Sequence, residues 1–217
     1  MLTAVLASLM LACGSKKSGT QEQSVGWEEV GEYYDRDSTI YGICGNGTSM
    51  NTLSLLTDNG DTLLLSLFTA KENDHIYGGV NVGDRMAVLT NADTTKAVIV
   101  INLSTFMGQW VQPNPMDGTS EMGIYIKDGG VAESINMSTL IYESWRFYNG
   151  SLEIVSMRDD GSSFEETTKY QLLYLADDSL AIRDAEGTYE YKRPAPEEDY
   201  SDLDISIDEG SEEDFVM

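Results

Sequence analysis

The chain has 217 residues, more than one small barrel needs and fewer than two average domains use, and it sets 37 acidic against 13 basic residues for a net charge of -24. The charge runs as +1 over residues 1–24, -7 over 25–104, -8 over 105–193 and -10 over 194–217, so both parts of the body are moderately acidic and the tail supplies the extreme. No part of the mature chain offers the Lys and Arg excess that displaces counterions from a phosphate backbone, which excludes nucleic acid as a partner.

The first segment, "MLTAVLASLMLACGSKK", holds an apolar stretch of about a dozen residues, the length of a signal-peptide core and too short to span a bilayer. Its end, "LMLAC", resembles a lipobox, the signal at which bacterial lipoproteins are lipidated on a cysteine and cleaved just before it. The resemblance implies that residues 1–12 are removed and that Cys13 carries lipid and anchors the protein to a membrane. A basic segment before the apolar core is missing, which predicts a natural start a few codons upstream. Residues 13–24 are polar and linker-like. With Cys13 lipidated, Cys44 is the one remaining thiol, so the core must hold without an internal disulfide. Cys44 in "TIYGICGNG" has no motif tying it to the sole histidine, His75, and reads as a buried structural thiol.

Beyond "VGWEEVGEYYD", ambiguous between helix and strand, residues 39–104 break into short β runs: "TIYGIC", "TLSLLT", "DTLLLSLF", "HIYGGV", "DRMAVLT" and "KAVIVIN". Asn59-Gly60 in "LLTDNGDTLLL" marks a tight hairpin turn. So many strands in so short a segment predict a small closed or partly closed barrel over residues 25–104, since closure removes exposed edges. "VGDRMAV" is similar to the turn and strand of OB-like and SH3-like barrels. Aromatics are few (Tyr41, Phe68, Tyr77) and the segment is acidic, which favours a structural or protein-docking barrel over one that binds oligonucleotides or oligosaccharides.

Residues 105–193 read as a second unit, an antiparallel meander. Its strands are "SEMGIYIK", "VAESIN", "ESWRFYN", "SLEIVSMR", "TKYQLLYLA", "DSLAIRD" and "GTYEYKR", joined by tight turns at "KDGG", "NG", "DDG" and "DAEG". With the strand at Trp110 they number about eight, the count whose closure leaves an interior wide enough for side chains or one small ligand. Gly108-Gln109-Trp110 on the first strand resembles the Gly-x-Trp of the lipocalin family. Together with the lipobox, "ESWRFYNGSLEIVS" and "LADDSLAIRDAEGTYEYKR", it is similar to the lipocalin-like lipoproteins of the Bacteroidota. The resemblance covers roughly residues 105–193. It implies that Trp110 plugs one end of the barrel, that Gly108 allows close approach, and that an Arg after the last strand lies across the Trp ring: Arg193, with Arg183 as second choice. At under 90 residues the barrel is expected to enclose little volume. In the same lipoproteins surface export goes with acidic residues after the lipidated Cys, whereas this chain has Lys16 and Lys17 there and no acid before Glu22, so the periplasmic face of the outer membrane is the expected location.

Nothing in the chain supports catalysis. Glu165-Glu166 and Asp159-Asp160 lie in or beside turns, where solvated acids are the rule, and "GNGTS" lacks the Lys of a phosphate-binding loop. No cofactor is implied. In residues 194–217 the alternation of Asp202, Asp204, Ser206 and Asp208 stops short of a calcium loop, since Glu209 and Phe215 stand where Gly and a bidentate Glu are required; the segment reads as a disordered acidic tail with no dedicated metal site. Trp145, Phe147 and Tyr148 offer a face for a ligand or partner. Alternation puts Trp145 and Phe147 on one side, best read as core, and Arg146 and Tyr148 on the other. Two function classes follow: a non-catalytic, lipid-anchored module holding a small apolar ligand or a glycan at a barrel mouth, or an accessory lipoprotein docking on another envelope protein. A pocket with convergent polar groups favours the first and a filled interior the second.

Overall fold

The structure, a computed structural model, describes residues 36–158 and 164–195. The predicted signal peptide with Cys13, the linker, the "VGWEEVGEYYD" segment up to Asp35 and the acidic tail beyond residue 195 lie outside the described residues.

The fold is all-β, as the runs of β-branched and leucine residues between turns predict. Strands β1 (Thr39–Cys44), β2 (Thr52–Thr57), β3 (Thr62–Ser66), β4 (Ile76–Tyr77), β5 (Arg85–Thr90) and β6 (Ala97–Asn102) form a six-stranded sheet in the order β3-β2-β1-β5-β6-β4. The sheet curls until β3 meets β6 in a parallel bridge, Ser66 to Lys96, with the Ser66 N–H donating to the Thr95 carbonyl at 2.9 Å. The result is a five-strand, partly open barrel of the OB-like kind, with β4 as an added edge. Asn59-Gly60 sits in the β2–β3 turn, Gly60 at φ 88. "DTLLLSLF" is cut short: the chain leaves the sheet after Ser66 and turns one short helix, α1 (Phe68–Glu72), which buries Ala70. This barrel has its own aliphatic core, including Leu53, Leu55, Leu65, Met86, Val88 and Val100.

A second short helix, α2 (Leu103–Phe106), is N-capped by the Asn102 side chain, which accepts from the Thr105 N–H. It leads into the meander: β7 (Gly108–Pro113), β8 (Glu121–Ile126), β9 (Ala132–Ile135), β10 (Leu140–Tyr148), β11 (Ser151–Arg158), β12 (Glu165–Leu175), β13 (Ser179–Arg183) and β14 (Thr188–Lys192). They pair in the order β10-β11-β12-β13-β14-β7-β8-β9, all antiparallel. The ends β9 and β10 meet through a bridge from Val131 to Ser144. The Ser134 hydroxyl completes the seam, donating to the Leu140 carbonyl and accepting from the Tyr142 N–H. A side chain here does the work of a backbone ladder, and the barrel is nearly closed.

The two strand systems share a hydrophobic cluster. Ala87, Leu89, Ile99 and Ile101 of the small barrel join Phe106, Trp110, Trp145, Phe147 and Leu152 of the large one. The hairpin tip Asn149-Gly150 presses on the small barrel: the Ser38 N–H donates to Asn149 Oδ1 at 2.8 Å, and a Cβ on Gly150, at φ 82, would run into Ile99 Cδ1. Gly150 is therefore fixed twice, by its backbone and by its neighbour. Tyr41 donates to the Phe147 carbonyl at 3.0 Å, and the Gly78 N–H to the Leu175 carbonyl at 3.0 Å. These contacts fall at one end of the large barrel and leave the other end open.

Candidate functional site

The closed end explains the Gly-x-Trp. Trp110 is fully buried, and its indole N–H donates to the Phe106 carbonyl at 2.7 Å. The Arg193 guanidinium carbon lies 3.6 Å from the centre of the Trp110 ring. The same guanidinium donates to the carbonyls of Thr105 (2.6 Å), Met107 (2.9 Å), Gln109 (3.2 Å) and Asp177 (3.1 Å). A planar cation with five N–H donors is the one side chain that can cover an aromatic face and satisfy that many carbonyls together. Its burial lowers its pKa, but an arginine so placed stays charged. Gly108, at φ 117, has no room for a Cβ, which would meet Arg193 Nη1. Behind the plug, Phe106 packs edge-on against Trp145 (5.3 Å between ring centres) and Phe147 (5.1 Å).

The open end is built differently. A cavity of about 470 Å³ opens among Gln112, Met122, Met137, Leu140, Ile154 and Ser156, with Tyr142, Tyr170, Tyr189 and Tyr191 converging on it. Charged groups of both signs ring its mouth: Arg158, Glu166, Lys169, Asp184 and Glu186. The rings of Tyr170 and Tyr189 meet edge-to-face at 6.1 Å, and the Tyr189 hydroxyl donates to Asp184 Oδ2 at 3.3 Å. Burial pushes Tyr142 up to about 12. Tyr170 and Tyr191 are also raised, first by burial and then by neighbouring phenols and Asp184. The cavity therefore presents neutral hydroxyls and aromatic faces side by side. Among the described residues no three His, Cys, Asp or Glu side chains converge to hold a metal ion.

Residues 102–194 match the family model described as lipocalin-like. A crystal structure of a lipocalin-like protein from Bacteroides thetaiotaomicron VPI-5482 is similar at 30% identity, over 41% of this chain and 96% of that one, with a TM-score of 0.38. A comparison with curated proteins finds no match. The chain belongs to the lipocalin-like family. That membership rests on the C-terminal barrel, a fold generally found in binding proteins rather than enzymes.

Within the lipocalin-like barrel the structure brings Gly108, Trp110 and Arg193 together. Arg183, the second choice for the covering arginine, lies at the far end of β13, its Nε donating to Thr188 Oγ1 at 3.2 Å. Trp145 and Phe147 are buried core and form no outward face; their neighbour Tyr148 lies outside the barrel, under Arg146 (5.1 Å) and Lys169 (5.8 Å), both ion-paired to Glu153. Cys44 is buried, with Sγ 3.3 Å from the Thr48 hydroxyl. The cavity corrects the expectation of little enclosed volume: β10 and β12, at 9 and 11 residues, outrun the segments read from sequence and carry the walls past the plugged end.

The cavity residues are what sequence reasoning missed. Tyr189 and Tyr191 alternate in "TYEYK" and could have been assigned to the inner face. Tyr142 could not, because a bulge at Glu143 shifts the register between Tyr142 and Ser144, so an even position and the odd positions Trp145 and Phe147 all face inward. A second shift between Leu172 and Tyr174 does the same on β12, turning Tyr170, Leu172 and Leu175 inward and Tyr174 out.

Proposed function

We propose that this protein is a lipid-anchored lipoprotein of the bacterial envelope whose C-terminal barrel holds a small ligand, an apolar molecule or a glycan, in the tyrosine-lined mouth. One observation carries this reading: a 470 Å³ cavity in which four tyrosines converge. A void that served no ligand would cost stability, and core packing would fill it. Rings and hydroxyls side by side suit the flat C–H face and hydroxyls of a sugar, or an apolar body with one polar end. Anchoring through Cys13, and Lys16 and Lys17 beside it, support residence on the periplasmic face of the outer membrane.

Calorimetry of the full chain against an oligosaccharide panel, and fluorescence titration with 8-anilinonaphthalene-1-sulfonate, test the binding reading. Tyr170→Ala should weaken whichever binds; no binding of either class to wild type would overturn it. A fatty-acid probe should label wild type and spare Cys13→Ala, and protease added to intact cells should leave the protein whole.

A second reading, docking on another envelope protein, is favoured by the small barrel. Ile43, Leu56 and Leu64 lie on one outer face, Ile43 opposite Leu56 in register, exposed at 44%, 45% and 66%. Cross-linking through cysteines at Leu56 or Leu64 in cells tests it, and the absence of any adduct counts against it.

A further inference from the structure

The wall of the large barrel has a weak seam. Neighbouring strands elsewhere in the meander pair through at least four residues, as in β13 with β14, where Ser179 to Arg183 run in register with Thr188 to Lys192. Between β14 and β7 the register holds one pair, Lys192 with Val111. Continued, the ladder would set Gln112 opposite Tyr191 and Pro113 opposite Glu190, and neither pair forms. Proline has no N–H to give a ladder, so the sequence itself favours parting at Pro113. The β9–β10 seam, also poor in backbone pairs, is closed by the Ser134 hydroxyl. Nothing comparable bridges β14 and β7 beyond Val111 among the described residues.

On the outer side of this seam lies a groove of about 660 Å³, with Val111, Pro113, Tyr174, Leu180 and Ala181 along it. Gln112 and Tyr191 line this groove and also line the tyrosine cavity. Two side chains, rather than a hydrogen-bonded ladder, separate the outside groove from the interior. Tyr191 is buried, 7% exposed.

We infer that the β7–β14 seam is a lateral portal into the cavity, a second route beside the open mouth, with Gln112 and Tyr191 as its gate. The inference rests on the ligand-binding reading of the cavity. Side-chain rotation is fast and local, whereas opening a paired wall breaks several backbone hydrogen bonds at once. The seam is thus the cheapest path through the barrel side. The groove outside it is mainly apolar, so an apolar or amphiphilic molecule is drawn to it before the gate opens.

The test is kinetic. In the full chain carrying Cys13→Ala, cysteines are placed at Pro113 and Glu190, the positions a continued ladder would set opposite each other, and the remaining thiol, Cys44, is 1% exposed. With 8-anilinonaphthalene-1-sulfonate as probe, the oxidised form, left with the mouth alone, should take up and release it at least about twofold more slowly than the reduced form, with Kd unchanged. Ala181→Trp, which fills the groove from outside, should slow association in the same sense and needs no cross-link. Equal rates in oxidised and reduced protein, or an unchanged association rate in Ala181→Trp, would overturn the portal while leaving the cavity. Probe binding that ignores Tyr170→Ala, or no binding to wild type, would instead overturn the cavity reading and the portal with it.

Discussion

The two ends of the eight-stranded barrel use the same alternation of inward and outward residues to opposite effect. At the closed end the inward positions are Trp110, Phe147 and Leu152, dry and packed against Phe106 and the small barrel, with Arg193 satisfying the carbonyls at the rim. At the open end they are Tyr142, Tyr170, Tyr189 and Tyr191, whose hydroxyls need partners and therefore keep the interior from filling. Rings that carry no hydroxyl build the plug here, and rings that carry one line the cavity. Stability is concentrated at one end so that the other can stay hollow. The small barrel belongs to this division: by covering the closed end it lets a meander of modest length support a cavity.

The comparison breaks most readily at the plug. Trp110→Ala should cost about 3–5 kcal/mol in denaturant unfolding, through lost burial and the void left behind; a change below about 1 kcal/mol would mean the closed end does not carry the fold. Gly108→Ala forces a side chain into a positive-φ position already faced by Arg193, and should cost about 1–3 kcal/mol, whereas Gly187→Ala, with open space where its Cβ would stand, should cost clearly less. Arg193→Met should be destabilising and coupled to Trp110→Leu by about 0.5–3 kcal/mol in a double-mutant cycle, since contacting residues do not add. Strict additivity would separate the cation from the ring.

The open end should show itself in alkali. Tyrosine is neutral when protonated, and the raised phenols of Tyr142, Tyr170 and Tyr191 hold their protons in the folded state above the pH at which the unfolded chain loses them. Their contribution is fully present below about pH 10, the ordinary tyrosine value, and is lost as pH rises from there through the raised folded values. Stability should therefore fall above about pH 10, and Tyr191→Phe should flatten the decline. A decline equally steep in that variant would assign it to other groups. The smallest effect is expected far from both ends: Arg85→Ala removes a largely exposed ion pair with Asp58 and should change stability by about 1 kcal/mol or less.

Much of this was legible in the chain. β1, β2 and β11 coincide with runs read directly as "TIYGIC", "TLSLLT" and "SLEIVSMR", because β-branched and leucine residues between glycine and asparagine turns admit few other structures. The order of the meander followed from its short turns, and Gly108, Trp110 and Arg193 were found because a motif marks them. Local chemistry could not give the two bulges that reverse the facing of Tyr142 and Tyr170. Nor could it give the sharing of a core between the barrels, since Leu89 and Ile99 look like any strand residues until Gly150 is seen against them. The cavity and the open seam beside Pro113 were likewise decided in three dimensions. The sequence by itself determined the strands, their turns and the plug, because these depend on neighbours along the chain. Which face each tyrosine shows, which end is sealed and where the wall parts depend on register between strands far apart in sequence, and tertiary packing alone sets that register.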